Sequence, residues 1–600
     1  MLTRQQRREN EMKLDKIEGK ADDKVAWGSD IAAQMLRRFN VPFISLNPGA
    51  SYRGFHDSLV NHLGNENPGI ILCLHEDHSV AIAHGYAKAT GEPMACVLHS
   101  NVGLLHGMMG IFNAWCDRAP MIMLGATGPV ASEKRRPWID WIHTSRDQGA
   151  YIRSLVKWDD QPTSASALVE AMARANIITR TAPTAPVYVV LDAGFQETKL
   201  DKEPEWPDLS RHQPPKPPRP SKEALDQAVA ILKDAKKPLI LYGRGSRRDE
   251  YWQPRIRLAE RLGACVFTDL KQGAMFPTDN SHHYAEPFNQ VVKEARQLMC
   301  EADVILSLDW MDLGGALRQA KSVGTVTAKI IHCSLDQTLH TGANMEYQEL
   351  PPADVYSATT GDVMVAELNG ALGEGRKDPW KAKLPPKNKQ ANGALTMDVI
   401  AQSLRDQFND PENVTFCTLG RGWPTDIWPF QSGMSYLGKD GGGGLGSGPG
   451  ISVGSALALH HKFPDRYAIT MLGDGDFCMG ATAIWSAVKH RIPLLVIVNN
   501  NRSYFNDELH QDHVARDRGR EPKNRWIGLR MEDPVPSIAK LAEAQGAIGI
   551  GPITSQADAK EATAKGVDVL KKGGVCVLDF HVEPPAERLA NHGLGYRATN

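Results

Sequence analysis

Six hundred residues, 42% hydrophobic and 23% charged, make an ordinary globular composition too long for one core, so three or four domains are expected. A formal net charge of −2 gives no electrostatic case for a nucleic-acid or anionic-membrane partner. Nine cysteines scattered from Cys73 to Cys576, with no C-x-x-C pair, argue against zinc sites and disulfide frameworks and for a reducing cytoplasm.

Residues 1–24 are basic and acidic by turns without an apolar core, a charged extension rather than a secretory signal. No window offers the long uncharged apolar run of a membrane span. From 25 to 195 short apolar runs alternate with helical patterns, with strands expected at Val41–Leu46, Ile70–Leu74, Ala95–Leu98, Met121–Leu124 and Val187–Leu191. That alternation predicts a parallel sheet covered on both faces. Residues 196–222 are polar and Pro-rich, an extended linker. A second α/β block, 223–372, carries Pro238–Tyr242, Cys265–Thr268, Val304–Leu308 and Lys329–Cys333, and a polar joint at 373–393 closes it. The third, 394–585, carries Val414–Thr418, Ala468–Leu472, Leu494–Val498 and Val575–Phe580, followed by a tail at 586–600. The architecture expected is α/β: three consecutive doubly wound parallel-sheet domains.

The most informative stretch runs from Gly473 to Asn501. An apolar strand ends in Gly473-Asp474-Gly475, a helical segment follows, and a second apolar strand opened by Pro493 ends in three asparagines. Parallel strands finish at one sheet edge, where open α/β sheets bind ligands, so Asp474 and Asn501 face each other across a crevice. A carboxylate, an amide oxygen and a loop carbonyl are hard ligands suited to Mg²⁺ with diphosphate oxygens. Gly-Asp-Gly alone fits any α/β turn; the paired asparagine makes it specific, and the stretch resembles the thiamine diphosphate (ThDP) motif.

Two further segments extend the resemblance. Glu76, followed by Gly85-Tyr86-Ala87 and Thr90-Gly91, looks like the pattern in which a glutamate meets the aminopyrimidine ring of ThDP. A carboxylate there protonates ring nitrogen N1′, and the 4′-imine then removes the C2 proton. The glycine run from Gly441 to Gly450 contains one large apolar residue, Leu445. By position it is the wedge under the bent cofactor, and the Gly443 carbonyl accepts from the 4′-amino group. The family pattern implies the Asp474 and Asn501 side chains and the Ser503 carbonyl as metal ligands, with Gly473, Gly475 and Tyr504 beside the cofactor. Asp476 stands where the pattern has a small residue: it turns outward or bonds backbone amides. The loop Gly420-Arg421-Gly422 is a candidate for diphosphate contact.

Leu74-His75-Glu76, Leu98-His99-Ser100 and Asn113-Ala114-Trp115 look most like benzoylformate decarboxylase among the 2-oxo acid decarboxylase and acetolactate synthase superfamily. The resemblance implies non-oxidative decarboxylation of a 2-oxo acid through a C2 ylid and an enamine, with His99 in proton transfer. Three departures stand out. The serine that touches substrate follows Pro-Gly in that enzyme, whereas here Ala50 does, and Ser51 comes next. The second catalytic histidine of that enzyme has no match around Ser307–Asp312. His106, His143 and Asp507 are extra candidates near positions that border related active sites. Alternatives on the same cofactor are an acetolactate-synthase-like carboligase and a 2-hydroxyacyl-CoA lyase, the latter using Lys134, Arg135, Arg136 and Arg244. A non-catalytic ThDP-binding scaffold is remoter. Gly243-Arg244-Gly245 is too little to imply FAD, which is not predicted. The family builds each site from two chains, implying a homodimer at minimum, with a homotetramer unsurprising. The segment from Tyr504 to Arg530 is expected to order over bound substrate.

Overall fold

The structure, a computed structural model, describes residues 12–336, 349–376, 378–384 and 395–583. The expected tail and parts of the N-terminal extension and second joint lie outside the described residues.

The first sheet contains β1 (Phe43–Leu46), β2 (Gly69–Leu72), β3 (Met94–Leu98), β4 (Met121–Thr127), β5 (Trp158–Asp160) and β6 (Pro186–Asp192), in spatial order β2-β1-β3-β4-β6-β5. The second holds β7 (Pro238–Tyr242), β8 (Cys265–Thr268), β9 (Val304–Leu308), β10 (Lys329–Cys333) and β11 (Val355–Ser357), ordered β11-β10-β9-β7-β8. The third, ordered β12-β13-β14-β16-β15, holds β12 (Val414–Phe416), β13 (Tyr467–Gly473), β14 (Leu494–Asn500), β15 (Ile548–Ile553) and β16 (Val575–His581). Within the three sheets every pairing is parallel. Parallel strands need helical crossovers, which cover both faces; hence the continuous apolar runs, such as Leu494–Val498, in which every residue is buried. All the expected strands form.

Six helices matter for the site: α1 (Glu76–Thr90), α2 (Ser100–Cys116), α3 (Gly448–Lys462), α4 (Asp474–Gly480), α5 (Ala483–His490) and α6 (Phe505–Asp517). The helical segment expected between β13 and β14 is thus two short helices. The first and third domains share one core, in which Val80, Ile82 and Ala83 of α1 join Val453, Ala456 and Leu457 of α3. These helices run parallel at very close approach. A methyl group at Gly85 would lie 2.0 Å from the Ile451 carbonyl oxygen, and one at Gly454 would lie 1.9 Å from that of Ile82. Ser455 Oγ donates to the Gly85 carbonyl at 3.2 Å. Only glycine permits this backbone-to-backbone packing. Its consequence is that the N-termini of α1 and α3 lie at the same end of the pair.

The third domain also closes an edge of the first sheet. The N–H of Leu72 in β2 donates to His490 Nε2 at 2.9 Å, and Ser486 Oγ donates to the Leu72 carbonyl at 2.8 Å. An unpaired edge is thereby blunted by side chains of α5.

Candidate active site

In the first domain, β2, β1 and β3 are adjacent, so the loops after them meet at one edge. They carry Glu76, the 47–51 loop and His99. Glu76 is buried at the first position of α1. From α2, His106 Nδ1 stands 3.1 Å from Glu76 Oε2, within hydrogen-bond distance. The ring of His75 stacks on that of His106, with centroids 5.1 Å apart. His75, Glu76 and His106 offer ligand atoms all within 4.8 Å of one another, close enough to suggest a metal. However, a ligating imidazole donates its other N–H, whereas His75 Nδ1 accepts from the Asp77 amide at 3.1 Å. Its proton therefore sits on Nε2, and the trio is a hydrogen-bonding group.

His99 Nδ1 stands 2.9 Å from Ser51 Oγ, and the Ser51 amide points at the same nitrogen at 3.4 Å. A methyl group on Gly103 would lie 3.2 Å from both Glu76 Oε1 and His99 Cβ, so this glycine leaves room between the two side chains. His143 meets His99 edge-on, with centroids 4.8 Å apart, and its buried Nδ1 has no partner. Burial holds the His99 imidazole below its usual range, with His143 acting in the same direction. Ser51 is buried, while exposed Ala50 borders an open groove with Pro48, Arg53 and His56.

In the third domain β13 and β14 pair through Gly473 and Asn499, and Asp474 and Asn501 follow immediately. Asp474 Oδ1 accepts from the Gly475 amide at 3.0 Å. Its Oδ2 and Asn501 Oδ1 share one donor, the Ser503 amide, at 3.2 and 3.0 Å. The two oxygens thus converge, as strand adjacency requires. Burial pushes the Asp474 carboxyl above its usual range, and its hydrogen-bond partners are backbone amides. Asn499 Oδ1 is also buried without a partner. A methyl group at Gly422, Gly443 or Gly473 would meet nothing within 4 Å, so this end of the sheet is open.

Asp476 turns inward: its Oδ1 accepts from the Gly446 amide at 2.7 Å and the Gly448 amide at 3.4 Å, and burial pushes its carboxyl up to about 6. It fastens the glycine run to α4. That run lies along α2: Asn113 Nδ2 donates to the Gly444 carbonyl at 3.4 Å, and a methyl group at Gly444 would lie 2.2 Å from Met109 Cε. Ser447 Oγ then donates to Asp77 Oδ2 at 3.0 Å, beside Glu76. Leu445, between these anchors, is 46% exposed. Gly443, with φ +68°, is in the left-handed region that glycine tolerates.

Three models of the thiamine pyrophosphate enzyme match in succession: the N-terminal TPP binding domain over residues 26–150, the central domain over 225–345 and the C-terminal TPP binding domain over 420–580. The chain belongs to the thiamine pyrophosphate enzyme family. Benzoylformate decarboxylase of Pseudomonas aeruginosa is 25% identical over 78% of this chain and 85% of its own length. The acetolactate synthase large subunit of Haemophilus influenzae is 23% identical over 87% and 89%. Among solved structures, the ThDP-dependent 4-hydroxybenzoylformate decarboxylase of Rhodococcus jostii RHA1 superposes with a TM-score of 0.75 at 20% identity, over 93% of this chain and all of that one. Benzoylformate decarboxylase of Polynucleobacter necessarius gives 0.76 at 18%, over 94% and all of that chain. The chain is therefore a ThDP-dependent enzyme of the decarboxylase and acetolactate synthase superfamily.

The residues present fit that cofactor. A buried carboxylate, an amide oxygen and an orphaned buried amide oxygen border open space at a sheet edge, the oxygen-rich setting a Mg²⁺-diphosphate group requires. Tyr504 lies over Gly475, where a methyl group would come within 2.6 Å of its ring. Arg421 Nη1 donates to Asn506 Oδ1 at 2.9 Å, tying the Gly420–Gly422 loop to α6. Trp423, the next residue, is core, its ring packed at a tilt against Phe416 and Trp428. Asp507 is exposed in the first turn of α6. Arg525 and Arg530 both pair with Glu508, which accepts from Ser503 Oγ at 2.6 Å, so the segment after Tyr504 folds back onto the loop that follows β14. Among the described residues no helix is long and apolar enough to cross a membrane.

Sequence reasoning alone did not single out Asn499, the Ser51–His99 bond or the Ser447–Asp77 link. The run of three asparagines signals the first. The other two join residues far apart in sequence and need the strand order or the α1–α3 pairing to be seen.

Proposed function

We propose that the chain is a ThDP- and Mg²⁺-dependent carbon–carbon lyase that decarboxylates a 2-oxo acid without oxidation. The observation that supports decarboxylation is His99 near Glu76, after the two strands that flank β1, with the Gly103 gap touching both. A histidine there is within reach of the reacting carbonyl.

In this reading Asp474, Asn501 and the Ser503 carbonyl hold Mg²⁺, and Gly420, Gly422 and Gly473 leave room for the diphosphate. Leu445 is the apolar wedge and the Gly443 carbonyl an acceptor beside it. Bound ThDP supplies a carbon nucleophile and an electron sink for the bond that breaks. Glu76 would hold and share a proton with the aminopyrimidine nitrogen, and His106 would orient its carboxylate through the 3.1 Å contact. His99 delivers a hydrogen bond or proton to the substrate oxygen, with His143 at its edge. The apolar side chains of Leu74, Val102 and Leu105, each more than a third exposed close to Glu76, support a homodimer in which a second copy covers this face. A small-molecule 2-oxo acid is the substrate class.

The acyl-CoA alternative loses its proposed phosphate binders. Lys134 Nζ donates to Gly194 O, Arg135 to Pro129 O, Arg136 pairs with Asp140, and Arg244 pairs with Asp336 at 2.6 Å. A panel of 2-oxo acids and acyl-CoAs with ThDP and Mg²⁺, read by mass spectrometry, tests the proposal. Aldehyde plus carbon dioxide is expected; acetohydroxy acids or formyl-CoA would replace it with a carboligase or an acyl-CoA lyase.

A further inference from the structure

We propose that Ser51 is a positioning residue that locks His99 in the Nε2–H tautomer, so that His99 meets a substrate oxygen as a hydrogen-bond donor. The inference rests on the 2-oxo acid reading for the identity of that oxygen, but the tautomer itself does not.

The argument starts from donors that have no choice. The Ser51 amide, which can only donate, points at His99 Nδ1 at 3.4 Å, so Nδ1 carries no proton. Ser51 Oγ stands 2.9 Å from the same nitrogen. Facing an unprotonated Nδ1, that hydroxyl gives it its O–H, while the oxygen accepts from the Ser100 amide at 3.0 Å. Two donors on Nδ1 put the proton of the neutral ring on Nε2.

The clamp is built tightly. Ser51 is 2% exposed, and its carbonyl accepts from Gln196 Nε2 at 3.0 Å. A methyl group at Gly49 would lie 2.3 Å from His99 Cβ and Cγ and 2.7 Å from Nδ1, so the loop presses on the ring through a residue with no side chain. Ser100 holds φ +43°, a left-handed conformation that a non-glycine residue keeps only where its surroundings enforce it. With its hydroxyl engaged by His99 and Ser100, Ser51 acts through His99 and not by touching substrate.

The ionisable groups facing His99 are His143, Glu76 and Arg136. Burial, His143 and Arg136 all hold the ring neutral, while Glu76 opposes them. The clamp adds to the same side: two donors on Nδ1 must turn away before that nitrogen can be protonated. Removing the Ser51 hydroxyl should therefore raise the pH at which His99 becomes charged.

The test uses the full-length protein labelled with ¹⁵N-histidine, without substrate, and magic-angle-spinning NMR, with His99→Gln to assign the signal. His99 is expected as Nε2–H with an unprotonated Nδ1. In Ser51→Ala the backbone amide still points at Nδ1, so Nε2–H should persist, while loss of the hydroxyl donor should move the titration midpoint up by roughly half a unit to one unit. In the Mg²⁺–ThDP enzyme the acid limb of kcat/KM should follow, with ThDP affinity unchanged and Ser51→Thr restoring the profile. A wild-type His99 protonated at Nδ1 overturns the proposal whether or not Ser51→Ala folds. So does an Ala variant with an unaltered midpoint. A substrate panel without decarboxylation would sink the functional reading and leave the tautomer result standing.

Discussion

The contact between α1 and α3 joins the first and third domains, and Gly85→Ala probes it directly. The added methyl group would lie 2.0 Å from the Ile451 carbonyl oxygen and 2.8 Å from the Ser455 nitrogen, both backbone atoms that cannot swing away. Ordinary contact needs more than an ångström of extra separation, so the helices must part along a shared core. Alanine in a helix interior gains about 1 kcal/mol of intrinsic propensity over glycine. Overpacking costs about 1–3 kcal/mol, and a backbone-on-backbone clash belongs at the upper end. The net expectation is a loss of about 1–2 kcal/mol in denaturant unfolding. ThDP affinity should fall as well, because parting these helices disturbs the surfaces that carry Glu76 and the glycine run. Gly370→Ala, in the helix Gly361–Ala371, is the control: a methyl group there meets nothing within 4 Å, and the variant should be slightly stabilised. Equal stability and equal ThDP affinity for the two variants would refute the reasoning.

Acid should weaken the protein through Asp117. Burial alone would raise this carboxyl, but Lys88 Nζ at 2.5 Å and His84 Nε2 at 2.8 Å override it and bring it down to about 2. Burial pushes His84 itself down, and the Lys88 charge is the largest single attraction on Asp117. A folded value below the unfolded one means stability that is present above pH 4 and lost as pH falls from about 4 through 2, on the order of 2 kcal/mol. The stability gap between wild type and Asp117→Asn should shrink by that amount from pH 5 to pH 2; a constant gap would refute it. Asp474→Asn keeps the shape but removes the charge, and should weaken Mg²⁺-dependent ThDP binding by on the order of a hundredfold in calorimetric titration; an unchanged affinity would remove Asp474 from the metal. His106→Ala should lower kcat with little change in ThDP affinity, since it takes a hydrogen bond from Glu76 and no contact from the diphosphate end; loss of binding alone would contradict this.

Strands buried on both faces were legible in the sequence because burial leaves unbroken apolar runs. The strands that escaped sit at sheet margins or are interrupted. Trp158–Asp160 and Val355–Ser357 are three residues each, the first half acidic, and Ile548–Ile553 carries two glycines and a proline. The site divides the same way. Asp474, Asn501 and Glu76 directly follow strands, so the rule that parallel strands end together already places them. Ser51 and His99 meet only because β1 lies next to β3, which no local pattern reveals. The inward turn of Asp476 depends on the glycine run coming back to α4, again a tertiary fact.

The central claim is that Glu76 of the first domain and the Asp474–Asn501 edge of the third serve one cofactor. Hydrogen–deuterium exchange at C2 of enzyme-bound ThDP, followed by quench-flow NMR, tests it most directly. Glu76→Gln should abolish the enzyme's acceleration of that exchange while Mg²⁺-dependent binding stays within a few-fold of wild type. Full exchange in the Gln variant would contradict the account.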